Sequence, residues 1–335
     1  MGTRRSSLAD VAAEAAVSIT TASDALNGKG RLATETRERV QRAAERLGYQ
    51  PNPLARSLVG GRTGLIAVAF SHTTDITAAM ADKDYLRQAI VAVTGVALEI
   101  GVGLIVGPPT RHPEMWTKVP MDGLIDFSPV RDDPLLPQIR REGIPMVLVG
   151  RDPDGAGNDP CVENDHVAGT RTVLDHLQAR GASRPALLAI ALEDAFTDDC
   201  LIGYRSWCAE RAIEPNVVMI PAGSTPRQVN ASVRELLSGP GSPDAVHATV
   251  WELGTRTAEL ASSLGIRIPD DLMVAACGDT EPHPGEIQIT QLKLFPELAA
   301  REAVDLLTNI VRGTPSAIAR SVPTELAVRQ STARA

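Results

Sequence analysis

A chain of 335 residues exceeds what one hydrophobic core usually organises, so two or three packing units of roughly 100 to 200 residues each are expected. With 43% hydrophobic and 22% charged residues it has an ordinary globular composition, which excludes a low-complexity chain, and no apolar run reaches the length of a membrane span. The net charge of −8 argues against nucleic acid as a partner of the whole, but residues 1–62 hold ten Lys and Arg against six Asp and Glu, and the remainder 23 against 35. A basic head on an acidic body favours DNA docking by the head alone.

The first residues carry no signal peptide pattern, because Asp10 and Glu14 interrupt the apolar positions. Cys161, Cys200, Cys208 and Cys277 show neither metal-ligand nor redox spacing and read as reduced thiols of a cytoplasmic protein. Ser7 followed by Asp10 is a helix-start signal, and a helix from about Leu8 to Ala16 follows. Val17 and Ser18 make a turn. Ser18 is placed to cap a second helix from Ile19 to about Asn27, which Gly28 and Gly30 end. Leu8, Val11, Ala12, Ala15, Ala22, Ala25 and Leu26 fall where two short helices meet, and the alanines allow a close crossing. A third helix, capped near Thr34 and running to Leu47, turns Val40, Ala43, Ala44 and Leu47 to one side. This describes a helix-turn-helix; by pattern alone it fits a generic three-helix bundle equally well.

After Tyr49, two prolines and a glycine pair bracket a short segment. Pro53 fits a first helical turn, and Leu54–Val59 make barely two turns, too few for stability alone.

From Gly64 short apolar runs alternate with helical patterns. Residues 65–70, 102–107, 123–128 and 145–150 read as buried parallel strands, with crossover helices at 85–100 and 134–143. A second series follows: helices at 168–181, 200–212, 226–238 and 251–264, and strands at 186–191, 217–220, 245–250 and 272–277. Two doubly wound α/β subdomains are expected, with any ligand in the cleft at the strands' C-terminal ends. The six histidines, at 72, 112, 166, 176, 247 and 283, are scattered, and no phosphate loop, nucleophile elbow or metal-ligand cluster stands out. An α/β enzyme would need clustered titratable residues in the cleft. A solute-binding receptor would need an export signal or lipid anchor.

The string from Leu8 to Leu58, with its VS turn, the T-x-S-x-x-L-N run at 21–27, TRERV at 36–40 and LGYQPN at 47–52, resembles the DNA-binding head of the LacI/GalR (lac-repressor) family. The resemblance implies a recognition helix in the major groove, with Ile19, Thr20 and Asp24 at base-reading positions. It also implies phosphate contacts from Ser7, Ser18, Thr21, Ser23, Asn27, Arg31, Thr36, Arg37, Asn52 and Arg56. Residues 51–63 would be a hinge that orders on DNA, with Leu58 wedged into the minor groove and Ala55 beside it. Asp24 departs from the arginine often found there. A carboxylate only accepts, for instance from cytosine N4; the alternatives are a pair with Lys29 or Arg31, or repulsion of wrong sites.

The body is similar to the same family's periplasmic-binding-protein-like core at DGLI (122–125), residues 163–181, LIGY (201–204), residues 265–274 and Gly278-Asp279-Thr280. The implied plan is a head at 1–50, a hinge at 51–63 and a core at 64–335. Within the core, 64–164 with 293–320 would form one subdomain and 165–292 with 321–335 the other. The resemblance further implies a homodimer that binds double-stranded operator DNA as a transcriptional regulator, with neither enzymatic activity nor cofactor. No leucine heptad near Arg334 points to a coiled-coil tetramer. Its effector cleft would include Tyr85, Asp165, Phe196, Cys200, Val250, Trp251, Gly278, Asp279 and Phe295. Cys200 stands where the family has an arginine, Val250 and Trp251 where it has Asn-Asp, Gly278 where it has the first acid of Asp-Asp, and Leu294 where Gln is common. These changes remove hydroxyl-binding groups, so an ordinary hexose is not the expected effector.

Overall fold

The computed structural model describes residues 6–26, 31–49, 62–71, 84–107, 112–155, 159–239, 241–281, 287–315 and 317–334. They fall into two compact units, Met1–Gly64 and Leu65–Ala335.

The first unit contains α1 (Leu8–Glu14), α2 (Ile19–Leu26) and α3 (Thr34–Arg46). Ser7 and Asp10 form a reciprocal capping box that satisfies two amides at the start of α1. The helix stops at Glu14, short of the expected Ala16, because Ala16 takes a left-handed φ of 50° and turns the chain toward α2. Ser18 Oγ accepts from the Thr21 amide at 3.0 Å and so caps α2. The expected cap at Thr34 is not formed: Ala33 precedes α3 and makes no side-chain bond. Val11, Ala12, Ala15, Ala22, Ala25, Val40, Ala43 and Ala44 form the small core, and Arg39 Nε donates to the Ala15 carbonyl at 2.9 Å. The expected helix end at Asn27, Gly28 and Gly30, and the hinge residues Asn52, Pro53, Ala55, Arg56 and Leu58, lie outside the described residues.

In the second unit the described residues form two six-stranded sheets. The first contains β1 (Leu65–Phe70), β2 (Gly103–Val106), β3 (Gly123–Phe127), β4 (Met146–Val149), β5 (Cys161–Asn164) and β11 (Ala319–Val322), in the order β11-β5-β4-β3-β1-β2, all parallel. Alternate residues of β1 serve opposite faces, as the strand period demands. Ile66, Val68 and Phe70 pack under α4 (Asp84–Glu99) and α11 (Pro296–Arg312); Ala67 and Ala69 pack against Trp116 at the end of α5 (Pro113–Trp116) and against α6 (Leu135–Glu142).

The second sheet contains β6 (Pro185–Ala191), β7 (Asn216–Pro221), β8 (Ala245–Ala248), β9 (Met273–Cys277), β10 (Thr290–Lys293) and β12 (Glu325–Ala327), in the order β12-β10-β9-β8-β6-β7. Only the β10–β12 pair is antiparallel. Around it lie α7 (His166–Ala179), α8 (Ala195–Glu210), α9 (Pro226–Ser238) and α10 (Trp251–Ser263). Asp194 caps α8 by accepting from the Thr197 amide at 2.8 Å, so this helix starts five residues before the expected Cys200.

Each sheet reverses its winding beside its first strand, β1 in one and β6 in the other. The C-terminal ends there open a crevice suited to ligands. The chain passes between the two lobes three times, after β5, after β10 and between β11 and β12. Asn164 sits at this crossing, its Nδ2 3.1 Å from the carbonyls of Leu294, Val322 and Pro323.

Candidate functional site

Burying Ala22 and Ala25 against the neighbouring helices turns the opposite side of α2 outward. Ser18 and Thr20 are exposed, Ile19 is 56% exposed, and Thr21, Ser23 and Asp24 are half-buried. Among the described residues Asp24 forms no ion pair, so the alternative of a pair with Arg31 is not realised, while Lys29, the other expected partner, lies outside the described residues. Thr36 and Arg37 lie half-buried in the first turn of α3, and Arg31 is exposed. Ser7 is a correction to the expected phosphate set. Its hydroxyl and its amide both donate to Asp10 Oδ2, at 2.7 and 2.8 Å, which leaves no proton for a phosphate.

In the core, a cavity of about 130 Å³ opens where the strands end. Ser128 follows β3, Gly150 and Arg151 follow β4, Leu192 follows β6, Thr249 and Val250 follow β8, and Gly278 follows β9; all line it. Tyr85, Phe196 and Trp251 supply aromatic walls.

Of the expected cleft residues, Tyr85, Phe196, Val250, Trp251, Gly278 and Asp279 line the cavity, whereas Asp165, Cys200 and Phe295 do not. Asp165 is exposed and caps α7 by accepting from the Ala168 amide at 2.8 Å. Cys200 is buried in α8, where loss of solvation pushes its thiol up to about 12. Phe295 takes a left-handed φ of 52° ahead of Pro296 and packs on the hydrophobic core of the first lobe.

Two of the departures explain each other. A Cβ on Gly278 would stand 3.0 Å from Trp251 Cβ, and Gly278 has a φ of 156°. The Trp251 side chain, through its Cβ, therefore crowds the place where a side chain at 278 would start, and the indole lies in van der Waals contact beyond it. Asp279 remains, but both its oxygens accept backbone amides, Leu294 and Phe295, at 3.0 Å each. Burial pushes its carboxyl up, against those hydrogen bonds, and burial and then Asp279 push the Tyr85 hydroxyl up.

Sequence reasoning missed Arg151, His166 and Asp194, all of which line the cavity. The guanidinium of Arg151 grips Asp199 bidentately, Nη1 to Oδ2 at 2.7 Å and Nη2 to Oδ1 at 2.5 Å, and reaches Glu163 at 3.3 Å. Hydrogen bonding to Asp199 raises its already high pKa. This pair joins the first lobe to α8 of the second. Nearby, Arg131 Nη2 meets Asp198 at 3.1 Å, the Arg131 amide donates to the Glu193 carbonyl at 2.7 Å, and Val130 bridges Asp194. Burial pushes His166 down to about 4, so it is neutral near pH 7; its ring stands edge-on to Phe196 at 4.7 Å, and its Nδ1 is buried without a partner among the described residues. The signal for Arg151 was its position directly after a buried parallel strand, where side chains face the cleft.

A family of bacterial regulatory proteins, the lacI family, matches residues 7–52, and a periplasmic binding protein-like domain matches residues 174–332. The HTH-type transcriptional regulator CelR of Thermobifida fusca is 31% identical over 347 aligned positions that cover 98% of each chain. The chain belongs to the lacI family. RafR of Escherichia coli, another HTH-type transcriptional regulator, is 27% identical over 92% of both chains. A solved CelR–cellobiose complex superposes with a TM-score of 0.72 at 26% identity, covering 98% of this chain and 100% of that one. The lac repressor dimer bound to operator and an anti-inducer has a TM-score of 0.82 at 23% identity, covering 98% and 99%, and so shares the fold. Like its lacI-family relatives the chain is a DNA-binding transcriptional regulator and not an enzyme, with a helix-turn-helix head on a two-lobed α/β core.

Proposed function

We propose that this lacI-family protein is a repressor that acts on the chromosome in the cytoplasm. Two copies pair through their cores and read a twofold-symmetric operator with residues 1–60, their affinity set by a small molecule in the cleft. The carrying observation is the outward face of α2, where Ile19 and Thr20 stand exposed on a helix whose other side is fixed by buried alanines. An apolar side chain held 56% in water at the start of a recognition helix fits contact with a thymine methyl. Ser18 and Thr21, whose hydroxyls bond each other at 2.8 Å and so keep one free proton between them, flank it as phosphate donors with Ser23, Arg31, Thr36 and Arg37, joined by Asn27, Asn52 and Arg56, with Ala55 and Leu58 entering the minor groove.

Self-association is supported by α4, which leaves Val91 66% and Leu98 72% exposed seven residues apart on one face. For the effector, three aromatic walls and few free polar groups favour a neutral molecule with an apolar face over a plain monosaccharide. CelR's complex with cellobiose is compatible with a ligand larger than one hexose.

Selection of bound sequences from random duplex DNA by the full-length protein tests the reading. The expected result is a symmetric motif whose binding weakens steeply with salt. No preference for any duplex at low ionic strength, with or without metabolites, would sink it. Strong thermal stabilisation by glucose or galactose alone would overturn the effector part only.

A further inference from the structure

The described residues that line the cavity include four carboxylates, Glu163, Asp194, Glu252 and Asp279, and a single permanently charged cation, Arg151. His166, the other basic group there, is held neutral near pH 7 by its burial. Arg151 keeps 43% of its side chain exposed and so presents its guanidinium to the cleft, yet Asp199 takes both of its terminal nitrogens. Asp199 does not line the cavity. Its side chain is only 8% exposed, behind the guanidinium it holds.

A planar fork engaged bidentately by one carboxylate has few donors left for a second anion, and its charge is already cancelled. We infer that Asp199 sets the charge selectivity of the cleft: it neutralises Arg151, so the site admits neutral, hydrogen-bond-donating ligands and refuses phosphorylated or carboxylated ones. Removing the Asp199 charge frees the guanidinium for an anion. The inference rests on the reading that the cleft takes a small ligand, and it makes a residue outside the cavity wall decide which class of ligand enters.

Titration calorimetry of the full-length protein without DNA, using glucose 6-phosphate and glucose as paired probes, tests it independently of operator binding. In the wild type, glucose 6-phosphate should bind no more tightly than glucose. Asp199→Asn should bind glucose 6-phosphate at least about tenfold more tightly than the wild type does, because a free guanidinium forms charge-assisted bonds to phosphate. Adding Arg151→Gln to that variant should abolish the gain. Should Asp199→Asn fail to melt cooperatively, Asp199→Ser provides the same reading. A wild type that prefers the phosphate, a freed Arg151 that brings no gain, or a gain that survives Arg151→Gln each overturns the inference. A failed operator selection would instead overturn the regulatory reading and leave this result standing.

Discussion

The side-chain amide of Asn164 donates to the carbonyl of Val322 at 3.1 Å, across the point where the chain passes between its two lobes. The same nitrogen lies 3.1 Å from the carbonyls of Leu294 and Pro323, so one buried group serves all three crossings. Asn164→Ala strands these acceptors and should destabilise the core by about 1–3 kcal/mol in urea unfolding. Asn164→Asp should be worse, since a carboxylate would face three carbonyl oxygens with no proton to offer.

Ala16 holds a left-handed φ of 50° between α1 and α2. For an L-residue with a Cβ that conformation costs about 1–2 kcal/mol, and the added chain entropy of glycine when unfolded offsets roughly half of it. Ala16→Gly is therefore expected to stabilise the head by up to about 1 kcal/mol. Slower hydrogen exchange of α1 and α2 amides in the full-length protein would report it; faster exchange would contradict it.

Asp24 is half-buried on α2 with no ion-pair partner among the described residues, so its acceptors are available to a base edge. Asp24→Ala should relax preference at one base pair per half-site by about 1–3 kcal/mol while leaving the salt dependence nearly unchanged. Arg37→Ala should weaken all duplexes alike and lower the salt slope by about one. Parallel binding selections across a salt series separate the two effects, and an unchanged motif with Asp24→Ala would show that this residue reads nothing.

Two buried groups give the core opposing responses to acid. His247, fully buried in β8, is pushed by loss of solvation from 6.5 down to about 4. Because its folded value lies below its unfolded one, the stability it allows is complete above about pH 6.5 and falls toward pH 4, by about 3 kcal/mol. Asp126 in β3 is pushed the other way, mainly by burial and then by Asp133, against the hydrogen bond it accepts from Ser71 at 2.7 Å. Its protonated form favours the fold, so its contribution is full in acid and is lost as pH rises through its elevated value. His247→Leu should flatten the loss of stability between pH 6.5 and 4, and Asp126→Asn should raise stability near pH 7 relative to wild type. Urea melts across that range decide both.

Most strands that the sequence made plain are buried on both faces, such as LIAVAF at 65–70, which appears as β1 with the same limits, whereas β2 and β7 were equally plain as apolar runs but lie only half-buried at the sheet edges. The strands it hid are short and mixed in polarity: CVEN in β5, TQLK in β10, ARSV in β11 and ELA in β12. All four lie at or beside sheet edges near the crossings, where register comes from distant partners instead of from local pattern. The head was legible because capping residues and alanine spacing both act within a few positions. The cleft was only partly so. Trp251 and Gly278 could be marked as departures, but their shared space emerges only from folding, as does the approach of Arg151 to Asp199 across 48 positions.

The triple crossing pinned by Asn164 also limits what kind of motion the core can make. Three strands of backbone bound side by side behave as a short ribbon, which bends and twists far more easily than it stretches. Held together at this one place by Asn164, the lobes are positioned so that a rotation about the ribbon would strain the backbone less than a separation would.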